Sequence, residues 1–551
     1  MVEPDEIFMD AKNLPDFDTQ QFEGRMERPI SKKTFSFVAV FLSIMCAVFF
    51  SRIWMLEVAH GETYKHRSEN NSLNKTPIFS SRGVIYDRNG VALATNEAGA
   101  EGSDFAMRSY IKNPGFGHLL GYVSYPKKDK NGVYLKDRAD FKGMAGVERQ
   151  FNTKLSGVNG EKIVEVNVGG KVQSENITNP PIDGQNIFLS IDSKLESIFY
   201  KGIKNLAESA GFTGGAGLMM DINSGELLAM TSYPEYNSEI LSAGSNSAII
   251  NSYNDSTKRF YLNRALSGLY TPGSIVKPFF SLAALNEKII DPLKTIYTTG
   301  SISVPNPFDP KHPSVFNDHG IFGNVDMRKA IAVSSDVYFY EIGGGYGDQK
   351  GLGISNLEKY SKLFALDQKT GVDLPGESSG VIPNPAWKAK NFKGDIWRLG
   401  DTYHTAIGQY GTQVTPIEML RAVGAIANDG TLLTPHILYK DESMQKSVSV
   451  GIDPSYFQIV KEGMRQTVTS GTAVAINVPY VQIAGKTGTA QVGIKFDRIN
   501  SWIIGFFPYD NPRYAFTIMM EASSSKNKDG ATTAMREIVE NMEMYTPEYF
   551  K

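Results

Sequence analysis

Tyr270–Phe280 reads "YTPGSIVKPFF", with a serine and a lysine three positions apart between two prolines. Proline lacks an N–H and its ring strikes the carbonyl four residues back, so a helix containing Pro278 has to begin near Ser274. Pro272-Gly273 then forms the turn leading in. Ser274 falls at the positive end of the helix dipole among free backbone N–H groups, and Lys277 shares its face. A hydroxyl beside an amine at a helix start is the arrangement of an activated nucleophile.

Ser-x-x-Lys is common by chance, and this chain repeats it at Ser72, Ser109, Ser124, Ser443 and Ser523. Two companions single out Ser274. "VSSDVYFYEIG" supplies Ser334, Ser335 and Asp336 ahead of an apolar helix, and "AGKTGTA" supplies Lys486, Thr487, Gly488 and Thr489 on an expected strand. Gly488 has a chemical reason, because a missing side chain lets a substrate approach the strand edge.

Ser-x-x-Lys, then Ser-x-Asp, then Lys-Thr-Gly is the order found in penicillin-binding proteins and serine β-lactamases. The resemblance covers roughly residues 35–550. "RGVIYDRNG" is similar to the pedestal motif of class B penicillin-binding proteins, and so are "GMAGVERQFNTKLSG", "TGVDLPGESSGVIPNP" and "AIGQYGTQVTPIEMLRA". Asp336 and "WRLGDTYHTAIGQ" resemble the elongation-type penicillin-binding protein 2 group. One departure stands out: only "EAGAEGSDFAMRSYIKNPGFG" occupies the place of the head subdomain, which is therefore expected to be reduced or absent.

The resemblance implies a serine-type D-Ala-D-Ala transpeptidase that cross-links peptidoglycan stem peptides during cell-wall elongation and is acylated by β-lactams. Ser274 would attack the penultimate D-Ala carbonyl with Lys277 as a neutral base, its pKa pushed down by burial and by Lys486. Ser334 would relay protons to the leaving amine. Asp336 would hold the lysines in place, or act mainly as an orienter, since its charge favours a charged Lys277. The backbone N–H groups of Ser274 and Thr489 would form the oxyanion hole. Lys486, Thr487, Gly488 and Thr489 would bind the substrate carboxylate. Alternatives are an anchored D,D-carboxypeptidase, a β-lactamase, a penicillin sensor, or a scaffold without chemistry. No cofactor is expected.

Farther out, Thr34–Ser51 is an uncharged, mostly apolar run, and "IWML" extends it to Leu56. That is about enough to cross a ~30 Å hydrocarbon layer. Thirty-three residues precede it and no A-x-A-like site follows, which favours a retained anchor over a cleaved signal. Arg25, Arg28, Lys32 and Lys33 before it, against Arg52, Lys65 and Arg67 after it, place the N-terminus in the cytoplasm and the bulk of the chain outside. The only cysteine, Cys46, lies in the span, so the exported part has no disulfide.

The chain of 551 residues, 41% hydrophobic and 21% charged, is globular, and its net charge of −3 gives no support for nucleic-acid binding, which usually needs a basic face. Expected domains are a cytoplasmic tail (1–33), a transmembrane helix (34–56), a β-rich pedestal (57–184) and an α+β transpeptidase unit (185–551) in which helices cover an antiparallel sheet. "NIFLSID" is expected as a strand within that last unit, and "AGLMMDINSGELLAMTS" as a hairpin. No glycosyltransferase domain fits upstream, so a SEDS-family glycan polymerase and other elongation-complex membrane proteins are the expected partners. Asp309, His312, Asp318 and His319 cluster in a Pro-rich loop, but their irregular spacing and the lack of a cysteine favour a solvated loop over a metal site. His404 is expected as a structural hydrogen-bonder lining the cleft.

Overall fold

The computed structural model describes residues 31–64, 73–99, 101, 103–130, 134–135, 140–166, 172–255, 257–306 and 309–551. Residues 1–30 of the expected tail, and Lys65 and Arg67 of the charge argument, lie outside these. The chain divides into two compact units, Met1–Thr76 with Glu161–Thr178, and Pro77–Gly160 with Asn179–Lys551.

The first unit holds helix α1, Lys32–Trp54, continued by a π-helical turn, Met55–Ala59. Ser31 starts it by accepting the Thr34 N–H at 3.1 Å. Among the described residues this is the one helix long and apolar enough to cross a membrane, and its apolar window is wholly unburied. Leu73–Ile78, Gly160–Val166 and Val172–Asn179 form a small sheet with the middle segment at its centre.

The second unit begins with the "RGVIYDRNG" hairpin. Strands Ile85–Tyr86 and Ala92–Glu97 pair antiparallel across a turn in which Gly90 has φ +81°. Asp87 Oδ1 closes the turn by accepting the N–H groups of Asn89 and Val91, each at 2.8 Å. The strand expected from "NIFLSID" is only Ile187–Phe188, and it pairs parallel to Ile85–Tyr86 instead of joining the central sheet. Its alternation resembled any half-buried strand, and nothing local names the partner.

Glu148 is fully buried beside this hairpin. Arg82 Nε donates to it at 2.6 Å and Arg108 Nε at 2.7 Å, so two segments quoted for their family likeness meet here. Glu148→Gln leaves two buried guanidinium charges with a neutral partner, and the expected cost is about 3–5 kcal/mol. Denaturant unfolding of the detergent-solubilised chain measures it, and a loss under 1 kcal/mol would refute the assignment.

The central sheet has five antiparallel strands: β1 Gly214–Asp221, β2 Leu227–Tyr233, β3 Ala484–Val492, β4 Arg498–Phe507 and β5 Tyr514–Ser524. Their spatial order is β2-β1-β5-β4-β3, which puts β3 at an edge. The strands are apolar almost throughout because both faces are covered. Ile503, Phe516 and Ile518 face one apolar core with helices α2 (Ser193–Ala210) and α9 (Ala531–Tyr545). Trp502, Ile504, Ala515 and Met519 face the other. That second core holds helices α3 (Lys277–Asn286), α4 (Met327–Val333), α5 (Asp336–Gly344), α6 (Leu399–Ala406), α7 (Pro416–Ala427) and α8 (Pro454–Thr469). The alternation along β4 and β5 follows from the two-residue period of a pleated strand.

Candidate active site

Gly273–Val276 is a single 3₁₀ turn, and α3 starts directly after it with Pro278 in its first turn. Three clamps fix the turn. Tyr270 and Val414 exchange backbone hydrogen bonds at 2.9 and 3.0 Å, Trp502 Nε1 donates to Thr271 O at 3.0 Å, and Gly273 N donates to Gly408 O at 3.0 Å. Gly408 has φ +74°, and a Cβ there would lie 2.2 Å from Gly273 O. Only glycine combines that dihedral with so close an approach. Ser274 is half-buried at the start of the turn.

Lys277 is fully buried, and its three donors are all engaged. Nζ lies 2.6 Å from Ser334 O, 3.3 Å from Ser334 Oγ and 2.6 Å from Asp336 Oδ1. Among the described residues no hydrogen bond joins Lys277 to Ser274. Lys277 is thus paired with Asp336 rather than with Ser274.

Ser334 ends α4 in the left-handed region at φ +60°, a conformation that side-chain-bearing residues rarely adopt away from constrained sites. Its hydroxyl meets a second buried amine, Lys486 Nζ, at 2.8 Å, and the same Nζ donates to Thr487 O at 2.8 Å. Burial first, and then the neighbouring Lys277 charge, push the Lys486 pKa well below the ordinary lysine value, while Asp336 opposes the shift. Lys486, expected as the cation that acts on Lys277, thus has a lowered pKa of its own.

Ser335 starts α5, accepting the Tyr338 N–H at 3.3 Å and donating to Asp318 Oδ2 at 2.6 Å. Asp318 also accepts the Val337 N–H at 3.0 Å. Burial works to raise its pKa, but hydrogen bonds from His319, Ser335 and the backbone hold the carboxyl well below the usual range. The four residues of the Pro-rich loop therefore separate. Asp309 and His312 form an exposed pair at 2.8 Å, while Asp318 braces the helix that carries Asp336. Asp318, His319 and Asp336 do bring ligand-type atoms within 4.8 Å of one another. Asp336 already holds Lys277 Nζ at 2.6 Å, however, and Asp318 holds Ser335 and Val337.

β3 runs beside the Ser274 turn. A Cβ at Gly488 would come within 2.8 Å of Pro272 O and Ile275 Cγ2, so its bareness serves the packing of strand against turn. Thr487 Oγ1 lies 2.5 Å from Thr472 Oγ1, and Thr489 is exposed. The structure thus gathers Lys277, Ser334, Asp336 and Lys486 into one hydrogen-bonded group and brings Ser274, Gly488 and Thr489 alongside each other. His404 departs from expectation. Among the described residues its ring makes no hydrogen bond; it leans on Phe316 with centroids 5.5 Å apart. Burial lowers its pKa against the pull of Asp401 and Asp336.

Residues 215–540 match the family model described as the penicillin binding protein transpeptidase domain, and residues 99–189 match the penicillin-binding protein dimerisation domain. The peptidoglycan D,D-transpeptidase MrdA of Acinetobacter baumannii is 28% identical, over 88% of this chain and 84% of its own. Among solved structures, the PBP2 of Helicobacter pylori in complex with MreC aligns with a TM-score of 0.71 at 28% identity, covering 86% of this chain and 100% of that one. Pseudomonas aeruginosa PBP2 with WCK 5153 aligns with a TM-score of 0.66 at 29% identity, covering 85% and 96%.

Proposed function

The chain belongs to the penicillin-binding protein transpeptidase family, and from that premise we propose how its residues carry the reaction of a peptidoglycan D,D-transpeptidase through an acyl-enzyme on Ser274. Its partners are other wall-synthesis proteins, and it is a membrane-anchored protein with an extracytoplasmic catalytic domain.

The observation that carries the assignment is the Ser334 hydroxyl lying between two buried amines, 3.3 Å from Lys277 and 2.8 Å from Lys486. Two lysines this close favour having one of them neutral, and they titrate as a pair. The reaction starts with one proton shared between the two lysines. Passing one proton from Lys277 through Ser334 to Lys486 frees the Lys277 amine to take the Ser274 proton. The Ser274 oxygen then bonds to the penultimate D-Ala carbonyl carbon, and the oxyanion is held by the N–H groups of Ser274 and Thr489. Collapse breaks the peptide bond, and the terminal D-Ala amine leaves with the proton that Lys486 returns through Ser334. The acceptor amine next bonds to the acyl carbon as the bond to the Ser274 oxygen breaks; the amine's proton passes through Ser334 to Lys486, and Lys277 returns its proton to the Ser274 oxygen. Asp336 keeps Lys277 oriented through both halves. Lys486, Thr487 and Thr489 bind the terminal carboxylate, and Gly488 keeps the strand close.

The N-terminus lies in the cytoplasm, with residues 34–56 crossing the membrane, 57–184 as pedestal and 185–551 as the transpeptidase unit. A SEDS-family polymerase and an MreC-type protein are the partners that fit this role.

Fluorescent penicillin labelling followed by peptide mapping tests the assignment. The expected result is one long-lived adduct on Ser274, with D-Ala release and cross-linked product from a D-Ala-D-Ala donor and an amine acceptor. Rapid turnover of a chromogenic β-lactam, or an adduct elsewhere, would overturn it.

A further inference from the structure

A cavity of about 640 Å³ opens off the C-terminal end of α5, and no strand of the central sheet lines it. Part of its lining is the loop Gly344–Gly351, four of whose eight residues are glycine; the rest is Val304, Pro305, Leu399 and Tyr403. The loop is held firmly. Tyr346 and Gln349 exchange backbone hydrogen bonds at 3.0 Å each across a two-residue turn, Gly347-Asp348, with Gly347 at φ +55°. The buried Gln349 amide donates to Ile289 O at 3.1 Å and Lys350 O at 2.7 Å, and accepts from Lys294 at 2.8 Å. Tyr403 donates its hydroxyl to Gly345 O at 2.6 Å. A cavity whose loop is already ordered gives up little freedom when a ligand enters.

Three properties of the lining say which ligand. The charges cancel, since Asp348 and Lys350 are both exposed and stand two residues apart, so neither an anion nor a cation is selected. Backbone donors are open: among the described residues the N–H groups of Gly347, Asp348, Lys350 and Gly351 reach no acceptor. Apolar surface is open as well, with Tyr346 38% and Leu399 41% exposed. Such a lining suits a molecule with a C–H face and a polar rim, which describes a pyranose sugar. The carbonyl of an acetamido group on that sugar supplies an acceptor for the open N–H groups. α5 runs nine residues from Asp336 to Gly344, about 12 Å. An extended stem peptide covers that distance with about four residues at about 3.3 Å each. In the transpeptidase reading above the donor lies on β3, and nothing of β3 borders this cavity. Resting on that reading, we infer that the cavity holds an N-acetylated amino sugar of the glycan strand that brings the acceptor amine, with the sugar ring on Tyr346, its hydroxyls on Asp348 and its acetamido group on the loop N–H groups. Tyr346 is thereby a specificity residue for the acceptor.

The test uses the full chain in detergent, one D-Ala-D-Ala donor peptide and three acceptors that carry the same amine. One acceptor is a bare stem peptide, one is linked to an N-acetylated disaccharide, and one is linked to the same disaccharide after N-deacetylation. The acceptor KM for cross-linked product is expected to be about tenfold lower with the N-acetylated disaccharide than with the bare stem, at similar kcat. N-deacetylation should remove most of that advantage. Tyr346→Ala should bring the ratio to within about twofold of one, and Tyr346→Phe should keep most of it. The penicillin labelling rate at Ser274 should stay within about twofold in both variants, which shows the catalytic unit intact. Equal wild-type KM for the bare and sugar-linked acceptors, or an unchanged ratio in Tyr346→Ala, would overturn the inference while Ser274 labelling persists. Full preference for the N-deacetylated acceptor would overturn the role given to the loop N–H groups. A sugar preference seen in D-Ala release from a sugar-linked donor, and not in the acceptor KM, would overturn the assignment to the acceptor strand. Absence of Ser274 labelling or of cross-linked product in the wild type would instead be the failure of the transpeptidase reading.

Discussion

Ser274→Ala is expected to abolish the penicillin adduct and to lower D-Ala release by at least about 10³-fold, with unfolding unchanged. The two halves of this result have separate causes. The chemistry has no substitute oxygen: Lys277 is committed to Asp336, and Ser334 sits between the lysines. Residual rate comes only from binding and the oxyanion donors. Stability is indifferent because the turn is fixed by backbone and by Trp502, through the contacts of Tyr270, Thr271 and Gly273. Removing one half-buried hydroxyl moves stability by only a few tenths of a kcal/mol. Calorimetry beside a labelling gel decides between this and a structural role, since a Tm drop of several degrees would assign the serine to the fold.

The second large effect concerns Lys486. Because burial and Lys277 hold its pKa well below the ordinary lysine value, the acylation rate should climb as pH rises through that lowered pKa and level off below about 10. Lys486→Met is expected to lose about 10²–10³ in acylation rate and that rising limb with it. The stability effect has the opposite sign. A lysine depressed in the folded state binds its proton more readily in the unfolded chain, so between the two pKa values folding gains as pH increases. Lys486→Met escapes this penalty. It should therefore be at least as stable as wild type near pH 7, with the gap closing as pH nears 10. Stopped-flow acylation and urea midpoints across pH 6–10 measure both. A variant that keeps the rising limb would place the titrating group elsewhere.

Much of this arrangement could be read in the chain before it was seen folded. Pro272 and Pro278 require a helical start near Ser274, seen as the 3₁₀ turn that leads into α3, and the apolar runs at 502–507 and 514–520, broken only by Thr517, announce strands covered on both faces. Local rules sufficed because the causes are local. Contacts across long separations were a different matter. Lys277 meets Asp336 59 residues away, and no spacing argument reveals whether an amine will sit nearer a carboxylate or another amine. The sequence reading consequently had no way to anticipate the lowered pKa of Lys486. Asp318 was expected in a solvated loop; its work at the head of α5 depends on where that loop returns. His404 was expected to hydrogen-bond and instead rests on an aromatic ring that comes from 88 residues upstream. Gly408 lay inside a segment quoted only for its likeness, with no hint that its carbonyl anchors the nucleophile's turn.

The edge position of β3 has a cost for any protein, since bare backbone donors and acceptors invite pairing with another chain. Here Thr472 stands against Thr487, and Pro272 and Ile275 press on Gly488, while Thr489 and Gln491 stay exposed. The backbone left open along β3 is what an extended peptide can pair with as an added strand.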